Sequence, residues 1–201
     1  MKLWGSPFIT LSMRNCREGS VGLTMKEVGK TKYKVTKLNF LKITFCGLFK
    51  SHGYCDDVLI TGSKDFIEIT KRAIELLKNN DFKAYKNVLN YFSSIYLIPK
   101  HNGIRVHFSL NRVYFLVGKK LLDKSVVLYA SYLAQGAFYI YTYKILKVEH
   151  PKIKRIPLEL WCKGKALYNA LEYRKRVLNN LGASEELIML TENEMAEIKM
   201  D

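Results

Sequence analysis

Ser125 to Tyr143 holds no Asp, Glu, Lys or Arg, in a chain where those residues make up 25% of the total. An uncharged stretch of that length belongs out of water. It is not a membrane span, because Ser, Thr, Gln, Gly and five Tyr leave it far less apolar than a spanning helix. It therefore predicts a central core helix from Ser125 to about Leu146, with Asp123 or Ser125 as its N-cap. The remaining elements have to cover that helix.

The elements before it alternate in type. Tyr33 to Phe45 is β-rich and basic, and Asp57 to Thr61 is a short apolar strand. Gly62-Ser63 breaks the strand, and Ser63 is placed to cap a helix over Lys64 to Lys78. Asn79-Asn80-Asp81 ends that helix and caps a second, Phe82 to Ile95. Pro99 to Gly103 reads as a turn, and Ile104 to Phe108 with Arg112 to Val117 as a hairpin or successive edge strands. After the central helix, Pro151 and Pro157 punctuate a linker. A final helix over Leu158 to Leu181 stops at Gly182, a C-cap signal.

Strands, two helices, strands and two helices make an α+β protein: a small mixed or antiparallel sheet with about four helices. The expected organisation is a β-rich segment over 1–56, an α+β domain over 57–183 and an acidic tail over 184–201, forming one compact domain. The N-terminus has no sustained apolar run after Lys2, so no secretory signal is expected and the expected location is cytoplasmic.

The charge is strongly basic, with 33 Lys and Arg against 18 Asp and Glu, a formal net charge of +15. The balance is uneven. Ser184 to Asp201 carries six carboxylates against Lys199 alone, which leaves 32 basic and 12 acidic residues in 1–183. A basic body with an acidic tail fits a polyanionic partner, above all nucleic acid; a Lys-rich surface of the kind common in heat-adapted proteins is the competing explanation. Lys152, Lys154 and Arg155 in the linker, with Arg174, Lys175 and Arg176 on the last helix, are the expected anion-binding patch. Glu172 is placed to pair with Arg176 at i, i+4.

Four cysteines are too few for a disulfide framework. Cys46, His52 and Cys55, with Cys16 or Cys162, lack the close pairs of a zinc site. A local Cys46–Cys55 disulfide is an alternative to ordinary thiols. His101 and His107 are the nearest imidazole pair, without the i, i+4 spacing of a helical metal site. Neither a complete P-loop nor GxGxxG occurs. The aromatics Tyr129, Tyr132, Phe138, Tyr139, Tyr141 and Tyr143 are spaced for a helical core, although aromatics beside cations also stack bases.

One segment has the frame of a known motif. Leu133-Ala134-Gln135-Gly136-Ala137-Phe138-Tyr139-Ile140-Tyr141 resembles the catalytic helix of a gluzincin-like metallopeptidase, with helix, Pro-containing linker and second helix in that order. In that family HExxH places two His on one helix face for a metal, and the Glu activates water. Gln135, Gly136 and Tyr139 stand where the first His, the Glu and the second His would be. The third-ligand Glu would fall near Lys163 or Lys165, and neither binds a cation. The resemblance, over about 57–183, implies a zincin-like core whose metal site has been vacated: no catalytic residue, no metal and no cofactor.

The resulting expectation is a non-catalytic, polyanion-binding pseudoenzyme. The alternatives are a nuclease or other hydrolase with an unrecognised site, drawing on His101 and His107, or a structural protein of viral or mobile-element type.

Overall fold

The computed structural model of the chain describes residues 8–11, 51–98, 104–109, 112–122, 125–153, 156–157 and 160–198. The class is α+β. The six strands among the described residues are β1 (Phe8–Leu11), β2 (Ser51–Cys55), β3 (Val58–Gly62), β4 (Ser94–Ile98), β5 (Ile104–Ser109) and β6 (Arg112–Gly118). The described helices are α1 (Lys64–Asn80), α2 (Phe82–Tyr91), α3 (Lys119–Leu122), α4 (Val126–Glu149), α5 (Gly164–Asn180) and α6 (Glu185–Ala196). The strand expected at Tyr33 to Phe45 and the turn at Pro99 to Gly103 lie outside the described residues. Two compact units result, one within Met1–Lys71 and Phe92–Asp123, the other within Arg72–Tyr91 and Lys124–Asp201. The division falls inside α1.

The first unit is built on the sheet, in the order β1-β5-β6-β4-β3-β2. It is mixed: β4 runs parallel to β3 and β6, and the other pairings are antiparallel. The expected hairpin is present, β5 against β6 with Ile104 opposite Val117. β4 corrects the sequence reading, which carried the second helix to Ile95. The helix ends at Tyr91, and Ser94–Ile98 is an inner strand. A short apolar run such as Ser94-Ile95-Tyr96-Leu97-Ile98 has no helical or alternating period to separate the two states, and parallel inner strands are apolar on both faces. Phe92 stacks on Phe115 of β6, centroids 4.7 Å apart. Gly62 is the last residue of β3, and a Cβ there would come within 2.4 Å of the Phe66 ring.

Helix starts follow the expected caps. Ser63 Oγ accepts from Phe66 N at 3.2 Å. Asp81 Oδ1 accepts from Ala84 N at 2.9 Å, opening α2 directly after α1. Ser125 Oγ accepts from Val127 N at 3.2 Å, opening α4.

In the second unit α4 packs against α2 and α5, and α6 packs against α5. The final long helix starts at Gly164, not at Leu158. Trp161 turns inward, fully buried, with its indole N–H directed at the Ile156 carbonyl, and Gly164 takes φ +47°, which L residues rarely adopt. α5 closes as expected at Gly182, φ +64°, where Ala183 N donates to Leu178 O and Gly182 N to Asn179 O. That pair of bonds is a Schellman cap. The segment expected as an acidic tail forms α6, which buries Leu190 and Thr191.

Candidate functional site

Helical spacing puts Gln135 and Tyr139 one turn apart on α4, and their side chains meet: Gln135 Nε2 donates to the Tyr139 hydroxyl at 3.3 Å. Both are buried, as is Gly136. The group that faces them is Arg174 of α5, not Lys163 or Lys165, which are exposed. Arg174 Nη1 donates to Gln135 Oε1 at 3.3 Å, and its guanidinium lies 4.8 Å from the Tyr132 ring centroid.

Arg174 is 0% exposed. Removing that charge from water costs several kcal/mol unless its donors are met. Four contacts meet them. Beside Gln135, Nε and Nη2 donate to Thr191 Oγ1 at 3.2 and 3.0 Å, and Nη2 reaches Glu194 Oε2 at 2.8 Å. Burial alone disfavours the charged form, but Tyr132 and Glu194 outweigh it and raise the Arg174 pKa. Burial also pushes the Tyr139 phenol well above its ordinary range, against the pull of the Gln135 hydrogen bond. Glu194 is less well served: its Oε1 is buried without a hydrogen-bond partner.

The expected anion patch is therefore dispersed. Arg174 is buried and engaged. Lys175 is half-exposed and pairs with Glu192 of α6 at 2.5 Å, a hydrogen bond that raises its pKa. Arg176 turns to Asp81 at 3.5 Å, not to Glu172. Lys152 is exposed, and Lys154 and Arg155 lie outside the described residues.

Zinc does not fit the Gln135 position. An amide and a buried phenol are poor ligands, and a guanidinium already occupies the space facing them. Among the described residues no group of three or more His, Cys, Asp or Glu could hold a metal. Cys16, Cys46 and His101 lie outside the described residues. His52 sits on β2 with Nδ1 3.1 Å from Thr61 Oγ1, and His107 occupies β5 opposite Tyr114.

The second unit does assemble an aromatic array that the sequence reading assigned mainly to core. Tyr91 of α2 lies 6.0 Å from Tyr141 of α4, Tyr141 6.4 Å from Phe138, and Phe138 stacks on Tyr173 of α5 at 4.8 Å. A cation stands at each end. Lys144 Nζ is 4.7 Å from the Tyr91 centroid, and the Arg176 guanidinium is 4.5 Å from that of Tyr173. Helix spacing builds the α4 part, since Phe138, Tyr141 and Lys144 recur every three residues. Tyr141 is 42% exposed. With Tyr91, Lys144, Ile145, Val148 and Glu149 it lines a depression of about 330 Å³. The array is visible in sequence only as aromatics at helical spacing; Tyr91 and Tyr173 join it through tertiary packing.

Among the described residues, no helix is long and apolar enough to cross a membrane. Comparison with known protein families, with curated proteins and with solved structures finds no match.

Proposed function

We propose that the protein is a non-catalytic nucleic-acid-binding protein whose contact surface is the accessible part of the aromatic array, exposed Tyr141 with half-buried Tyr91 and Phe138, backed by buried Tyr173. The observation that carries this reading is the cation at each end of a continuous aromatic run, Lys144 over Tyr91 and Arg176 over Tyr173. Aromatic faces stack bases without regard to sequence, and flanking cations meet the phosphates. The formal net charge of +15 adds a long-range attraction for the same class of partner. Stacking requires unpaired bases, so the favoured ligand is single-stranded. Aromatic faces and flanking cations are binding groups, so binding and not hydrolysis is proposed.

The test is fluorescence anisotropy of a labelled mixed-sequence single strand, with a duplex of equal length as comparison, at 50 and 200 mM salt. Preference for the single strand, with roughly a tenfold loss of affinity across that salt range, supports the reading. Absence of binding at 50 mM overturns it.

A further inference from the structure

Arg174 is a buried cation that the aromatic array does not use, and its principal counter-charge comes from the last helix. α6 reaches α5 through two carboxylates, Glu194 on Arg174 and Glu192 on Lys175. Beside these, it buries Leu190 and Thr191, the Thr191 hydroxyl also accepting from Arg174, while Met189 is 58% exposed. The Glu194 carboxylate is only half satisfied, one oxygen on Arg174 and the other buried with no partner. A buried acceptor left unmet weakens the contact that contains it. Gly182, at φ +64°, forms the turn between α5 and α6.

Beneath Glu194, the groups that remain on α4 and α5 suit an oxyanion. Arg174 offers a guanidinium already oriented by Gln135 and the Tyr132 ring, and the planar fork of Arg matches phosphate geometry. Gln135 is one helical turn from Phe138, and Arg174 is adjacent to Tyr173, so this cluster shares both helices with the aromatic array.

We propose that Arg174, with Gln135 and Tyr139 behind it, is a phosphate receptor whose built-in occupant is Glu194, so that α6 is an acidic latch which a phosphodiester displaces. This inference rests on the nucleic-acid reading above and adds to it a second contact and its control. The chain's own carboxylate holds the receptor closed until a polyanion of higher charge competes for it.

The test measures anisotropy of the labelled single strand with the full chain and three variants, each verified as folded by circular dichroism. Glu192→Gln with Glu194→Gln removes the latch charges. Glu185→Gln with Glu186→Gln removes the same number of charges from the exposed first turn of α6. The third variant adds Arg174→Met to the latch pair. The expected result is at least tenfold tighter binding for the latch pair than for the control pair, and loss of that gain with Arg174→Met. Equal gains for the two pairs overturn the latch and leave the array reading standing. No binding by any chain overturns both. Binding by the latch pair alone supports the latch and overturns the array as a sufficient surface. Hydrogen exchange on the unmodified chain gives an independent check: saturating oligonucleotide speeds exchange across 185–196 if α6 is displaced, and unchanged or slower exchange overturns the latch.

Discussion

Arg174 Nη1 donates to Gln135 Oε1 at 3.3 Å, joining α5 to α4 across 39 positions of sequence. The Gln135 amide is turned to a buried guanidinium. The polar centre of the second unit is thus a buried guanidinium held by side-chain acceptors and paired with the Glu194 carboxylate.

Arg174→Met is expected to cost about 3–5 kcal/mol, because it leaves the partly buried Glu194 carboxylate without its cation. Arg174→Lys is expected to lose much of the same amount, since one ammonium cannot span Gln135, Thr191 and Glu194 together. Arg174→Met combined with Glu194→Leu should recover most of the loss. Urea unfolding of the four chains checks this, and a double variant as unstable as the single one would contradict it.

Asp81 uses its two oxygens separately, with Arg176 Nη2 also 3.5 Å from Oδ2. Oδ1 caps α2 through Ala84 N, and Oδ2 accepts from Asn180 Nδ2 at 2.9 Å. Asp81→Ala is expected to cost about 2 kcal/mol, roughly one for the cap and one for the tertiary hydrogen bond. Asp81→Asn keeps the cap geometry and should cost less than half as much. Thermal unfolding of both variants separates the two contributions.

Gly182→Ala should destabilise the chain by about 1 kcal/mol, because φ +64° carries a penalty for any L side chain. Gly182→Asn, which tolerates that conformation better, should cost less in the same unfolding assay.

Alkaline pH should weaken the fold. Burial raises the Tyr139 and Tyr173 phenols above the ordinary value near 10. Below about pH 10 both folded and unfolded chains hold these protons, and stability has its full value. Above it the unfolded chain releases protons that the folded chain keeps, so stability falls by up to about 1.4 kcal/mol per pH unit for each group. Tyr139→Phe should flatten that fall. Urea midpoints between pH 8 and 11 check the slope, and equal slopes for the two chains would contradict it.

Local chemistry made much of this fold legible. Ser63, Asp81, Ser125 and Gly182 each mark a helix end by a side chain or a backbone conformation that acts within a few residues, and all four are where such residues belong. Ser94–Ile98 was not legible, because an inner parallel strand and a buried helical turn have the same composition. The start of α5 depends on Trp161 finding its pocket, which no local rule encodes. The site was harder. A run of Arg and Lys in sequence does not say which way each points, and on α5 three consecutive cations face three different partners: Glu194, Glu192 and Asp81. Tyr91 and Lys144 meet only because α2 packs on α4.

The most direct test of the nucleic-acid reading is the affinity of Tyr141→Ala and Lys144→Glu for a labelled single strand at 50 mM salt. Tyr141 is exposed and Lys144 lies at the surface, so both variants should keep the parent unfolding temperature. The expected result is about a tenfold loss for Tyr141→Ala, the stacking share of one base, and a shallower salt dependence for Lys144→Glu. Two folded variants that bind as tightly as the parent, with the same salt slope, would contradict it.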